Sequence, residues 1–183
     1  MSYGALGAME LTSIARGLEA TDTLLKRAPV ELLVSRVTCP GKYLAVFAGP
    51  VEDVKSAWET GTAIAGDCLA DQVYLTNPHP SLLAALTRTT GVDRVASLGV
   101  VESFTMCSVL AAADAAVKEA AVELLEIRLP VMTAGKSFVT FTGEHAAVSR
   151  AVEAAGAVLR AQGLLVAAVV IPRPREELYA FLM

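Results

Sequence analysis

The run Ala5–Val37, "ALGAMELTSIARGLEATDTLLKRAPVELLVSRV", decides the fold, because the chain repeats it as Ser97–Leu129, "SLGVVESFTMCSVLAAADAAVKEAAVELLEIRL". At a constant interval of 92, Leu6-Gly7 returns as Leu98-Gly99, Glu10 as Glu102, Asp22 as Asp114 and Lys26 as Lys118. Val30-Glu31-Leu32-Leu33 returns as Val122-Glu123-Leu124-Leu125, and Arg36 as Arg128. The interval then lengthens to 94, pairing Gly41-Lys42 with Gly135-Lys136, Gly49 with Gly143 and Val54 with Val148. On the same interval Pro78 and Pro80 match Pro172 and Pro174, which sets His79 in the place of Arg173. Ordered self-similarity of this kind marks a duplicated structural unit. It predicts two domains, residues 1–92 and 93–183, joined near "RTTGVDR", Arg88–Arg94.

Within one copy the hydrophobic periods separate strands from helices. Ala5–Leu11 reads as a short apolar strand. Ile14–Ala28 has helical spacing, with Asp22 and Lys26 one turn apart. Val30–Val37 and Lys42–Ala48 read as strands joined by the turn Thr38-Cys39-Pro40-Gly41. Pro50 opens a helix where its missing N–H is harmless. Gln72–Thr76 closes the unit. The order βαββαβ is the ferredoxin-like split motif. The predicted fold class is α/β of the α+β kind, two tandem ferredoxin-like units, each with a proline-punctuated tail ("NPHPSLLAAL", "IPRPREELYAFL") ending in a short helix.

Composition narrows the function classes. Hydrophobic residues make up 54% of the 183 residues, and charged residues only 19%. Such a chain builds a core and has apolar surface left for partners. A net charge of -4 with no basic run gives nucleic acid no electrostatic footprint. No run reaches the roughly 18 apolar residues of a membrane span. The start, "MSYGALGAMELTS", lacks a charged segment leading into a long apolar one, which predicts no signal peptide. Three cysteines, an odd number, then favour a reducing cytoplasm over a disulfide framework.

Few motifs carry chemistry. "PVMTAGKSF", Pro130–Phe138, ends like a phosphate loop. It has Pro130 where that loop needs glycine, and a strand follows where a helix is required. A hairpin loop is the better reading, as at Pro40-Gly41-Lys42. His79 and His145 stand far from any activated Ser or Cys. Metal-ligand spacings of the CxxC or HxxxH type are absent. Glu10 and Glu102 read as a repeated structural feature. The sequence therefore predicts no enzyme. Cys107 lies in an apolar helix and Cys68 between helix and strand. Cys39 stands out, because free cysteine is usually a buried small hydrophobe and this one tips a turn. Spacing alone leaves it a turn residue of no consequence, a redox thiol or a ligand.

Both copies resemble bacterial microcompartment (BMC) shell domains over nearly the whole chain. The resemblance rests on the Asp-x-x-x-Lys helix, the Gly-Lys after the hairpin, the glycine ending the next strand and the "PRP" tail. "LTSIARG", "LLVSRVTCPGK" and "IPRPREEL" are similar to the propanediol-utilisation trimers that carry an iron–sulfur cluster. The resemblance implies a homotrimer mimicking a hexamer of single domains, in a shell with other shell proteins in the bacterial cytoplasm. It implies a central pore lined by Thr38, Cys39, Pro40, Gly41 and Lys42 and by Thr133, Ala134 and Gly135. It further implies a 4Fe–4S cluster held by Cys39 of three chains, with luminal redox enzymes as partners and roles in electron transfer or cluster delivery. The turn's backbone N–H groups and Lys42 are expected to serve the cluster's sulfurs and charge. Lys26, Lys118 and Arg173 match tile-edge residues, with His79 in the first copy's edge position. Two other readings are a tile whose pore passes small metabolites without a cluster, and a soluble ferredoxin-like ligand-binding oligomer.

Overall fold

The computed structural model describes residues 3–92, 94–130 and 133–179. Two compact units form: Met1–Pro78 with Pro130–Gly135, and His79–Leu129 with Lys136–Met183. The segment after Pro78 thus belongs by sequence to the first copy and by packing to unit 2.

Unit 1 runs β1 (Ala5–Leu11), α1 (Ile14–Arg27), β2 (Glu31–Thr38), β3 (Lys42–Gly49), α2 (Val51–Ala65) and β4 (Leu69–Thr76), with a 3-10 turn at Gly66–Cys68 before β4. Its sheet order is β2-β3-β1-β4, and every neighbouring pair is antiparallel. This is the predicted βαββαβ unit. Ser13 caps α1 by accepting from the Arg16 N–H. Lys26 and Arg27 occupy its last turn, where the helix dipole favours cations. The helix-facing core holds Met9 and Leu11 from β1, Tyr43 and Phe47 from β3, Ala20 and Leu24 from α1, and Val54 and Ala57 from α2.

Unit 2 repeats the plan with α3 (Ser81–Thr87) added in front. It continues β5 (Ser97–Ser103), α4 (Met106–Glu119), β6 (Val122–Arg128), β7 (Ser137–Gly143), α5 (His145–Ala161), β8 (Leu165–Pro172) and α6 (Glu176–Tyr179). Its sheet order is β6-β7-β5-β8. Helix α3 packs on β6 and α4.

Side-chain sizes explain why the two copies keep one backbone. A Cβ on Gly7 would stand 2.6 Å from the Phe47 ring, and one on Gly99 would stand 2.3 Å from the equivalent Phe141 ring. The glycine in the first strand of each copy therefore leaves room for a phenylalanine from its neighbour. A Cβ on Gly17 would stand 2.3 Å from the Tyr43 ring. The matching positions in unit 2 carry Val109 and Ser137, both buried. There the helix residue is larger and the strand residue smaller, which conserves volume.

Strand register corrects the tail alignment. Ala5 pairs with Thr76, and its counterpart Ser97 pairs with Pro172. Asn77 is therefore equivalent to Arg173, and both adopt left-handed backbone, with φ of 50° and 48°. Their N–H groups donate to Gly4 and Ala96, which are also equivalent. His79 corresponds to Arg175 and does not take the place of Arg173. Proline spacing misled here because α5 is two residues longer than α2.

Candidate functional site

The loop between β2 and β3 is a four-residue turn. The Gly41 N–H donates to the Thr38 carbonyl at 3.0 Å, and the Cys39–Pro40 peptide is cis. Gly41 has a φ of 79° that suits glycine. Pro40 and Gly41 are exposed, Cys39 and Lys42 are half-buried, and Thr38 is buried. The Thr38 hydroxyl has no hydrogen-bond partner among the described residues. Chain geometry thus presents Cys39 at a turn tip, as the sequence suggests.

The second hairpin loop contributes directly to this place, since Pro130–Gly135 packs as part of unit 1. The Cys39 N–H donates to the Pro130 carbonyl at 2.9 Å. A Cβ on Gly135 would stand 3.1 Å from Pro40 Cδ and 3.3 Å from the Cys39 carbonyl oxygen. Ala134 is exposed and Thr133 half-buried. Val131 and Met132 of the same loop lie outside the described residues. The structure therefore brings the named residues of the two loops side by side.

Lys42 forms an ion pair with the strand behind the turn. Its Nζ lies 3.1 Å from Glu10 Oε1, and the Glu10 side chain is wholly buried. The same pair recurs in unit 2 as Lys136 and Glu102, at 2.7 Å. Burying a carboxylate demands a charged or hydrogen-bonding partner. These pairs tie the end of each first strand to the start of the third. The sequence showed both glutamates and both lysines repeating, and that joint repetition was the signal that they pair.

These contacts refine the fit to an iron–sulfur cluster. Pro40 has no N–H, and those of Cys39 and Gly41 already donate to carbonyls of this loop pair. The expected N–H donation to sulfur is therefore not supported for those two groups, and Lys42 is paired with Glu10. The Cys39 side chain itself is half-buried beside the exposed Pro40 and Gly41. Among the described residues of one chain, no group of three His, Cys, Asp or Glu side chains stands ready for a metal. A cluster that draws on about four thiolates fits Cys39 only where several copies converge. Cys68 lies half-buried in the 3-10 turn and Cys107 is buried in α4.

The residues proposed for the tile edge are spread over both units. Lys26 pairs with Asp22 at 2.5 Å, and Lys118 pairs with Asp114 at 2.6 Å, both one helical turn apart. Arg173 is exposed in the tail after β8. His79 is exposed, its ring Nδ1 lies 2.7 Å from the Ser81 hydroxyl, and its backbone N–H donates to Asp114. Unit 2 also carries a charge cluster that sequence reading missed. Glu126 is buried between Arg88, at 3.1 Å, and Arg128, at 2.5 Å.

Comparison with known proteins adds the final observations. The BMC domain model matches twice, over residues 5–78 and 97–174. The chain is 42% identical to the bacterial microcompartment shell protein PduT of Citrobacter freundii, covering 96% of this chain and 95% of that protein. It is 30% identical to the carboxysome assembly protein CcmO of Synechococcus elongatus, covering 96% of this chain and 67% of that protein. A crystal structure of a microcompartment protein from Desulfitobacterium hafniense superposes with a TM-score of 0.89 at 40% identity, covering 96% of this chain and 98% of that one.

Proposed function

The chain belongs to the BMC-domain family of bacterial microcompartment shell proteins, and from that premise we propose that three copies close into a pseudohexameric tile with a redox centre at its middle. Its role as a shell protein is structural. The reading of a soluble ligand-binding oligomer outside any shell gives way to this family.

The observation that carries the trimer is an asymmetry between equivalent surfaces. Ile14 and Leu18 on α1 are 37% and 56% exposed, while their counterparts Met106 and Leu110 on α4 are fully buried. A duplicated chain that covers one of two equivalent faces leaves the other for a second copy. Repeated head to tail, a contact of this kind makes a ring where its rotation closes. Six domains from three chains would complete the hexagonal plan that the family resemblance implies.

At the ring's centre, Cys39 of each copy would supply a thiolate to a shared 4Fe–4S cluster. When bound, the cluster would supply one-electron chemistry, suiting electron transfer across the shell or delivery of the cluster to luminal enzymes. Support comes from the turn-tip cysteine, the adjoining Pro130–Gly135 loop and the absence of a cysteine in that second loop. Three protein ligands would leave one iron to a non-protein group. The test is iron and acid-labile sulfide analysis of anaerobically purified protein beside its Cys39→Ser variant. Wild type should carry both and the variant neither. Colourless wild-type trimers lacking iron would instead favour a tile whose pore passes small metabolites.

A further inference from the structure

We propose that the C-terminal tail of each chain, from Arg175 onward, docks on α1 and β2 of unit 1 in the next copy; this rests on the trimer reading and specifies one of its contacts. The corrected register makes the tails comparable residue by residue. His79 corresponds to Arg175, Leu82 to Leu178, and in sequence Ala85 and Leu86 correspond to Phe181 and Leu182. Both tails thus place apolar residues at the same steps.

Their surroundings differ. The first tail packs on β6 and α4, where Leu82 is only 2% exposed. The His79 N–H donates to Asp114 Oδ1 at 2.8 Å, and Asp114 is 8% exposed. The Thr90 hydroxyl donates to the Leu125 carbonyl at 2.7 Å, which helps cover β6, the edge strand of its sheet. In the second tail the counterpart of Leu82, Leu178, is 46% exposed.

Unit 1 offers the matching seat. Asp22, the counterpart of Asp114, is 62% exposed with Lys26 as its ion-pair partner. Strand β2, the counterpart of β6, is also a sheet edge. Leu33 and Ser35 on it are more open than their counterparts Leu125 and Ile127, which are buried. An open edge strand is normally covered or otherwise protected. The exposed Leu178 of one tail and the exposed Asp22 beside an open edge strand complement each other between copies. In the docked state the Arg175 N–H donates to Asp22, and Leu178 buries beside β2.

Two variants test this. Leu178→Glu alters an exposed side chain, so the monomer should fold normally by circular dichroism. Sedimentation should show its trimer dissociating at about tenfold or more higher concentration than wild type, as expected for losing one buried leucine. In the double variant Asp22→Cys, Arg175→Cys, mild oxidation should give covalent dimers and trimers with a 22–175 disulfide in peptide maps. Wild-type trimers alongside unweakened Leu178→Glu trimers and no interchain 22–175 link would overturn the tail contact and leave the trimer standing. A 22–175 link found only within single chains would also overturn it. Monomeric wild type would overturn the trimer and the tail contact together.

Discussion

At the scale of single residues, the chain is held to its plan by a few paired choices that occur twice. Gly7 and Gly99 leave room for Phe47 and Phe141, so Gly7→Ala or Gly99→Ala should destabilise by about 1–3 kcal/mol through overpacking. Urea unfolding of each variant reads this directly, and wild-type midpoints would refute it. The Glu10–Lys42 pair has one wholly buried partner. Lys42→Ala removes a charged partner of that buried carboxylate and should lower the melting temperature. Glu10→Gln together with Lys42→Ala should recover part of the loss, because the buried group then carries no charge. Thermal melts of the two variants make the comparison. Cys39→Ser should leave the melt almost unchanged, because its side chain is only half-buried at a turn.

At the scale of elements, the sequence was legible wherever one copy could be read against the other. Strand and helix order, the two hairpin loops and the lysine–aspartate turns all followed from periodicity and repetition. Removing Ser13 as a cap (Ser13→Ala) should lower stability by about 1 kcal/mol, measurable by denaturant titration, since its side chain accepts the Arg16 N–H. Legibility failed at the tails. There Pro78 and Pro80 suggested a match to Pro172 and Pro174, but an insertion near the end of α5 shifts β8 relative to that alignment. Only strand pairing, with Thr76 and Pro172 in equivalent register, reveals it. The partner of the first tail was also hidden, because which unit a short apolar helix covers depends on contacts that have no local signal. The buried Glu126 between Arg88 and Arg128 was missed for the same reason: its counterpart in the first copy is Val34, so repetition could not flag it.

At the scale of the whole molecule, the chain is a shell protein built by duplication, with Cys39 in the first hairpin loop and no cysteine in the second. Lateral assembly of tiles should depend on Lys26 and Lys118, whose long side chains can lie along a neighbour while donating to its carbonyls. Changing both to Ala should keep trimers and suppress sheets in electron micrographs of overexpressing cells. Sheets of unchanged number and order would remove those lysines from the edge. The central claim joins trimer and cluster, and native mass spectrometry of anaerobically purified protein measures both at once. The expected spectrum shows one species at three times the 19.1-kDa chain mass plus a single 4Fe–4S cluster, and a Cys39→Ser species at three chain masses alone. A wild-type spectrum of single chains, or a Cys39→Ser trimer still carrying the cluster mass, would contradict it.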